Sequence, residues 1–279
     1  MSDTIEVMGQ KSLIQHGKHN NRIYLMKLDL QEAEQVIDQL SDLARQYGYT
    51  KIFCKVPKQV APLFIADGYL MEGQIPHFYE GENDVCFMAK FLSSDRILHI
   101  EKDQLSELSS LLQENPGSKL NFDSRASEYE VRRLTEDDVD EIVGIYKEVF
   151  KTYPFPIHDP EYIRQTMTEN VQYYGAVKDG VIGALASSEI DFKGKNAEMT
   201  DFATGGIHRG NGLSTMLLSA MEKEMKKQGI FTLYTIARLN SVPMNKTFIR
   251  AGYTYSGTLV KNTNIAGTIE SMNVYFKHI

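Results

Sequence analysis

The feature that most constrains this chain is a glycine-rich turn between a strand-like segment and a long amphipathic helix. The segment 196–204 runs into Gly-Gly-Ile-His-Arg-Gly-Asn-Gly at 205–212. In the helix predicted over about 212–228, the apolar residues Leu213, Met216, Leu217, Ala220, Met221 and Met225 recur at helical spacing. Glycine lets the backbone turn sharply and approach a ligand, and amides at a helix start favour an anion. The pattern predicts a phosphate or diphosphate site, and the alternative is a tight turn without a ligand.

This turn differs from the two commonest nucleotide-binding motifs. No Gly-Lys-Ser/Thr follows it, which excludes a Walker loop. A dinucleotide fingerprint needs an opening βαβ unit, whereas three antiparallel-looking strands precede this turn, at 171–178, 181–191 and 196–204. Asp179-Gly180 is a hairpin signal between the first two of them. We therefore predict an α/β fold with a mixed sheet.

The chain length of 279 residues suggests two domains, at roughly 150 residues per domain. The stretch 93–128 combines a helical pattern with the turn Asn115-Pro-Gly-Ser118 and a polar run. We predict an N-terminal α/β domain at 1–92, a linker with one helix at 93–128 and a second domain at 129–279.

The two predicted domains share an internal similarity. Each contains a helix, a glycine, a strand, a short helix and a Gly-Tyr pair in the same order. The first series has Gly48, strand 51–56 and Ala66-Asp-Gly-Tyr69, and the second has Gly229, strand 231–237 and Arg250-Ala-Gly-Tyr253. The first domain would then be a degenerate half of the second domain's fold without the glycine loop. The alternative is chance similarity between two α/β segments.

Composition excludes several classes of protein. With 42% hydrophobic and 24% charged residues the chain is globular rather than disordered. A net charge of -7 argues against nucleic-acid binding, and the apolar runs are too short for a membrane span. The N-terminus lacks the basic and apolar regions of a signal peptide, and Cys54 and Cys86 are too few for a disulfide framework. The sequence has no set of His, Asp and Glu residues at metal-ligand spacing, so we expect no metal site. The low cysteine count favours a reducing, cytoplasmic setting.

Arg209-Gly-Asn-Gly-Leu-Ser214 resembles the Arg/Gln-x-x-Gly-x-Gly/Ala loop of the GNAT acetyltransferase superfamily. The order of elements over 129–279 resembles that family too, and Ser214 departs from its pattern but keeps a small residue. The resemblance implies a GNAT fold with acetyl-coenzyme A (acetyl-CoA) as co-substrate. It implies that the loop amides hold the pyrophosphate and that the preceding strand pairs with the pantetheine arm. The implied contact residues are Phe202, Ala203, Thr204, Arg209, Gly210, Asn211, Gly212, Leu213 and Ser214.

The segment from Asn240 to Tyr253 resembles the second motif of the family, which implies cofactor contacts at Asn245 and Phe248. Asn245 would hydrogen-bond the pantetheine arm, or else it is a helix-start residue facing solvent. Many members carry a tyrosine general acid where this chain has Phe248. A tyrosine acid is therefore not available at that place.

A closer resemblance covers most of the chain. Tyr153-Pro-Phe-Pro-Ile157, Glu198-Met-Thr-Asp-Phe-Ala-Thr204 and Tyr49-Thr-Lys-Ile-Phe-Cys-Lys-Val-Pro57 are similar to the β-lysine N6-acetyltransferases. This implies direct acetyl transfer to the N6 amine of β-lysine, a small-molecule partner, which makes the compatible solute N6-acetyl-β-lysine. A homodimer is a further expectation. The alternatives are another small amine or amino acid as acceptor, or a non-catalytic acyl-CoA sensor.

The chemistry requires a proton acceptor, because a lysine-type amine has a pKa of about 10.4 and must be neutral to attack. Glu198 and Asp201 are the candidates, and the family resemblance favours Glu198. Their odd separation puts them on opposite faces of a regular strand unless a bulge intervenes. A pocket for β-lysine also needs an anion-binding arginine with aromatic or acidic groups. The candidates are Tyr153, Phe155, Tyr173, Tyr174 and Arg238, and for each the alternative is packing or solvent exposure.

Overall fold

A computed structural model describes residues 3–98, 100–113 and 124–279. In these ranges the chain forms a thirteen-stranded mixed sheet with eight α-helices. The strands are β1 (Thr4–Met8), β2 (Ser12–Gly17), β3 (Arg22–Lys27), β4 (Lys51–Pro57), β5 (Leu70–Tyr79), β6 (Asn83–Phe91), β7 (Glu130–Arg133), β8 (Val171–Lys178), β9 (Val181–Asp191), β10 (Asn196–Thr204), β11 (Thr232–Arg238), β12 (Thr254–Ile265) and β13 (Thr268–His278). The helices are α1 (Ala33–Tyr47), α2 (Ala61–Ala66), α3 (Asp95–Leu98), α4 (Lys102–Gln113), α5 (Val139–Val149), α6 (Pro160–Glu169), α7 (Leu213–Lys227) and α8 (Val242–Arg250).

The sheet contains the same topology twice. In the N-terminal half β1, β2 and β3 are antiparallel, β3 is parallel to β4, and the order continues β4-β6-β5. In the C-terminal half β8, β9 and β10 are antiparallel, β10 is parallel to β11, and the order continues β11-β13-β12. The predicted internal similarity is therefore present in the fold, and the predicted mixed sheet is confirmed.

The two halves meet where β5 lies beside β12. One residue pair joins the strands, Gly73 opposite Gly257, and each glycine directly follows a bulge in its own hairpin. A Cβ atom on Gly257 would lie 2.0 Å from the carbonyl oxygen of Glu72, so no larger residue fits there. The two glycines occupy equivalent positions in their halves, so an approximate twofold axis relates the halves.

Helices α1 and α2 cover the outer face of the N-terminal half, and α7 and α8 cover the outer face of the C-terminal half. Helices α5 and α6 pack on the inner face of β8, β9 and β10, and the remaining inner faces of the two halves pack on each other. Tyr24, Phe53, Phe78 and Phe87 of the N-terminal half share one apolar cluster with Tyr234, Leu259, Met272 and Val274 of the C-terminal half. The rings of Phe78 and Tyr234 are 5.1 Å apart. This packing brings β4 of one half close to β11 of the other.

The predicted linker packs against both halves. Leu108 and Leu111 of α4 belong to the core formed by α7 and α8, and Arg96 of α3 donates to the carbonyls of Asn20 and Lys261. The Asn115-Pro-Gly-Ser118 turn lies outside the described residues. The boundaries near 92 and 129 stay a prediction, since one sheet runs through both halves. Within the described ranges, no helix combines the length and apolar character needed to cross a membrane.

Candidate functional site

Strands β10 and β11 separate after a short parallel contact. Asn196–Glu198 pairs with Thr232–Tyr234, and β11 then stays paired with β13 as far as Arg238. In the described part of the chain no strand pairs with β10 on this side beyond Glu198. The exposed backbone edge can therefore accept an extended ligand in the manner of an added strand.

A bulge in β10 decides which way its acidic side chains face. The pairing with β9 shifts register between Thr200 and Ala203, and Asp201 has a φ of 57°. A bulge adds one residue to the strand and breaks its alternation. Asp201 therefore lies on the same face as Glu198, so regular alternation, which predicts opposite faces, does not hold here. Phe202 turns to the other face and packs edge-on against Phe248 at 5.6 Å.

Three carboxyl groups share this face of the sheet. Glu189 of β9 lies directly opposite Glu198, and Tyr234 of β11 lies on the other side of Glu198. Ser187 donates to Asp201 at 2.6 Å, and the hydroxyl of Tyr153 donates to its other oxygen. Protein surrounds Glu189, Glu198 and Asp201, yet Glu189 is exposed and the other two are partly exposed, so the three line a recess open to solvent, here called the acidic cavity.

The electrostatic environment gives Glu198 an unusual pKa. Burial and the neighbouring Glu189 raise it to about 8, against smaller opposing effects of Lys55 and Tyr234. Burial also raises the pKa of Asp201, although the hydroxyls of Ser187 and Tyr153 stabilise its charged form. A carboxyl group that titrates near neutral pH suits proton removal from an amine.

The glycine turn leads into an uncapped helix N-terminus. Gly210 and Gly212 have φ angles of 79° and 72°, and α7 starts at Leu213 with no side-chain cap and no acidic residue in its first turn. A Cβ atom placed on Gly210 would meet nothing within 4 Å, which leaves space beside the loop. The backbone amides at the start of a fifteen-residue helix and the dipole of that helix favour an anion here, so the loop fits the diphosphate of a coenzyme.

The matching place in the N-terminal half has different chemistry. Glu32 precedes α1, and its carboxylate accepts from the backbone amides of Gln10 at 2.6 Å and Ser12 at 3.2 Å. Asp29 accepts from another amide in the same loop. At the register position of Glu198 this half has Tyr24. Carboxylates at the start of a helix repel a diphosphate, so this half lacks both the anion site and the acid.

The predicted acceptor residues are divided between the two faces. Tyr153 lies beside Asp201, and Phe155 and Tyr173 pack in the core under the same face, with the hydroxyl of Tyr173 2.9 Å from Thr166. Tyr174 is buried on the opposite face against α7, where its hydroxyl donates to Gln172 at 2.7 Å. Tyr174 therefore cannot reach the acid cluster, which corrects the prediction from the sequence.

Arg238 and Asn245 are also engaged by other residues. Arg238 is the last residue of β11. Two nitrogens of its guanidinium donate to the Glu270 carboxylate, at 2.7 and 3.0 Å, so its charge is neutralised. Asn245 is 2% exposed, and its amide nitrogen donates to the carbonyl of Ser241 at 2.9 Å. Its amide oxygen accepts from Tyr275 at 2.7 Å. Asn245 thus anchors the start of α8, and it neither faces solvent nor presents its amide to a ligand.

Phe248 is a core residue. It is 1% exposed and packs between Phe202, Tyr253 and Tyr275. Its ring packs against Phe202 in the bulged part of β10, on the face opposite Glu198 and Asp201. This position has no polar group, as the sequence indicates.

Sequence reasoning did not identify two residues of the cavity, Glu189 and Lys55. Glu189 had a detectable signal, because the short turn at 193–195 sets the β9–β10 register and places it opposite Glu198. Lys55 comes from the other half of the chain, and its Nζ donates to the hydroxyl of Tyr234 at 3.2 Å. No local pattern indicates a contact between residues so far apart in sequence.

Comparisons with known proteins show what the chain is similar to. Residues 140–253 match the model of the acetyltransferase (GNAT) family. The chain is 38% identical to a β-lysine N6-acetyltransferase of Methanococcus maripaludis over 99% of both chains. It is 30% identical to a β-lysine N6-acetyltransferase of Methanosarcina mazei, over 87% of this chain and 96% of that one. A solved ribosomal-protein-S18-alanine N-acetyltransferase of Escherichia coli superposes with a TM-score of 0.48 at 15% identity, covering 54% of this chain and 94% of that one.

The chain therefore belongs to the GNAT family of acetyltransferases. The predicted enzyme class, an N-acetyltransferase, is confirmed. Acetyl-CoA as the co-substrate fits this family and the uncapped loop before α7.

Proposed function

We propose that this protein transfers the acetyl group of acetyl-CoA to the N6 amine of β-lysine. Two relatives similar over most of their length carry that activity in their names. The observation that carries the proposal is the acidic cavity next to the open edge of β10. β-Lysine has two ammonium groups, and the facing carboxyls of Glu189, Glu198 and Asp201 offer them complementary charge.

In the proposed mechanism Glu198 removes the proton from the N6 ammonium. Its pKa of about 8 lets it exist as a base near neutral pH and hold the proton after transfer. Asp201, held by Ser187 and Tyr153, shapes the cavity and orients the Tyr153 side chain. Acetyl-CoA supplies the activated acyl group, and a backbone amide near Ala203 or Thr204 donates to its thioester oxygen.

Direct attack by the amine agrees with the placement of the cysteines. Cys54 and Cys86 are both buried in the N-terminal half, and burial raises the pKa of each thiol. Cys54 packs among apolar residues on the outer face, with α1 and α2. Neither thiol is poised as a nucleophile, which supports direct attack by the amine without a covalent enzyme intermediate.

A thiol-release assay over a panel of amines tests the proposal. We expect β-lysine to be acetylated at a higher kcat/KM than α-lysine or polyamines, and tandem mass spectrometry should locate the acetyl group on N6 rather than on the β-nitrogen. Faster turnover of another amine would assign a different acceptor. Coenzyme binding without thiol release from any amine would favour the sensor role and contradict the proposal.

The biological setting is also part of the proposal. Acetylation removes one positive charge and leaves a zwitterion, the type of molecule that cells accumulate as a compatible solute during osmoadaptation. We propose a cytoplasmic enzyme that acts on a free small molecule, without nucleic-acid or membrane partners, and that forms a homodimer. Light scattering on the purified chain tests the dimer, and product accumulation with external salt in a β-lysine-fed host tests the role as a solute.

A further inference from the structure

Lys55 is an ammonium group in the acidic cavity that comes from the half without catalytic elements. Its side chain lies on the inner face of β4, with its Nζ 3.2 Å from the hydroxyl of Tyr234. Among the described residues this is its one hydrogen bond, and no carboxylate is within ion-pair distance. A lysine ammonium has three donors, so two of them remain for a ligand.

The fold itself does not require a lysine at this position. In the register that matches the two halves, Phe53 corresponds to Tyr234, and Lys55 two residues later corresponds to Ile236. The C-terminal half thus has an apolar side chain at the same place. A largely buried ammonium without a carboxylate partner is costly, which favours a role in binding.

The surroundings of Lys55 keep it charged. Burial alone would lower its pKa, but the neighbouring Tyr234, Tyr24, Tyr79 and Glu189 side chains raise it well above the usual value. The cavity therefore combines one ammonium group with the carboxyl groups of Glu189 and Glu198. This distribution matches a molecule that carries both a carboxylate and amines.

The N-terminal half contributes a second contact to the same region. The side chain of Gln15 on β2 is 1% exposed, and its amide nitrogen donates to the carbonyl of Pro154 at 2.9 Å. Pro154 follows Tyr153, whose hydroxyl reaches Asp201. The N-terminal half thereby holds the loop that carries Tyr153 over the acid cluster.

We propose that the N-terminal half forms the subsite for the carboxylate of the acceptor, with the Lys55 ammonium as its cation. This inference rests on the proposed function. The Lys55 ammonium and the Glu198 carboxyl both border the Tyr234 side chain, so an amino acid bound beside Tyr234 can place its carboxylate at Lys55 and its distal amine at Glu198. Lys55 would then distinguish amino acids from diamines of similar shape.

The test compares β-lysine with 1,4-diaminopentane, the same molecule without its carboxyl group. In Lys55→Met we expect KM for β-lysine to rise about 10- to 100-fold, because this factor corresponds to the free energy of one charged hydrogen bond. KM for 1,4-diaminopentane should stay within about twofold, because this acceptor has no carboxylate to lose. Lys55→Arg should recover most of the affinity for β-lysine, and Lys58→Met, at an exposed lysine paired with Asp84, should affect neither acceptor.

The same data separate this inference from the alternatives. Equal losses for both acceptors in Lys55→Met would mean that Lys55 only balances the charge of the acids, which overturns the inference and leaves the proposed function intact. Wild-type protein that acetylates neither acceptor would refute the proposed function, and the inference with it. Ile236 at the matching position shows that this fold accommodates an apolar side chain there, and unchanged thermal unfolding would verify this for the variant.

Discussion

Replacing Glu198 with glutamine keeps the size of the side chain and removes the group proposed to accept the proton. In the wild-type protein Glu198 has a pKa of about 8, so roughly a tenth of it is ionised at pH 7. We expect kcat/KM to rise about tenfold per pH unit up to pH 8 and then to level. Bound ammonium stabilises the carboxylate, so the corresponding limb of kcat should lie at lower pH.

The size of the effect follows from the role of a general base, which contributes about 10²- to 10⁴-fold to the rate. Glu198→Gln should therefore lose that factor at pH 8, with KM for acetyl-CoA little changed. The acid limb should disappear, because the variant has no group with this pKa. Thiol release between pH 6 and 9 at subsaturating β-lysine measures both effects, with Glu222→Gln, which removes an acid of α7 paired with Lys277, as a control.

A Glu198→Gln variant that stays as fast as the wild type across this range would refute the assignment of the base. A retained acid limb at a lower plateau would transfer the role to Asp201 or Glu189. Either result would leave the coenzyme site unaffected, because the loop before α7 does not depend on Glu198.

The raised pKa of Glu198 also leads to a prediction for the stability of the fold. Its pKa is about 8 in the folded protein and 4.5 in the usual reference state, so the folded state binds more protons between these values. The free energy of unfolding should fall as the pH rises from 4.5 to 8. In Glu198→Gln this dependence should become shallower, as measured by chemical denaturation at pH 5 and pH 8. An equally steep decline in the variant would contradict the raised pKa.

Three further perturbations address the fold and the site. Gly212→Ala places a Cβ at a φ of 72°, at a cost of about 1–2 kcal/mol, and should raise KM for acetyl-CoA far more than KM for the amine; a selective effect on the amine would contradict the diphosphate loop. Gly257→Ala brings a Cβ to 2.0 Å from the carbonyl of Glu72 and should lower stability by about 1–3 kcal/mol in thermal unfolding; an unchanged midpoint would contradict the tight junction between the halves. Tyr153→Phe removes a hydroxyl from Asp201 and should raise KM for the amine with little change for the coenzyme; equal changes in both would show that the loop acts on the whole site.

The C-terminal half could be predicted well from sequence because its signals are local. The spacing of apolar residues predicted a helix over 212–228 and the structure has Leu213–Lys227, while the strands predicted at 171–178, 181–191 and 196–204 agree closely with the observed bounds. The glycine turn depends on adjacent residues. Such features need no knowledge of the tertiary fold.

The arrangement of faces was harder to predict, because it depends on contacts between distant strands. Both faces of β8 are buried, so alternation could not decide whether Tyr173 or Tyr174 faces the acids. A single bulge reverses the alternation at Asp201. Regular period-2 patterns do not contain this information.

The contribution of the N-terminal half was the least predictable. Lys55 contacts Tyr234 only because the inner faces of two similar halves pack together, a consequence of the twofold relation at Gly73 and Gly257. In sequence Lys55 is one of two lysines in an otherwise apolar strand. The residues that Lys55 contacts can be identified only when the arrangement of the whole sheet is known.

The most direct test of the account is a crystal structure with coenzyme A and β-lysine bound. We predict one coenzyme per chain, with its diphosphate on the amides of residues 209–214 and its pantetheine arm along β10 beyond Glu198. The N6 atom should contact Glu198, and the carboxylate should contact Lys55. A diphosphate bound at residues 28–32, or an acceptor lying outside the acidic cavity, would contradict the division of roles between the two halves.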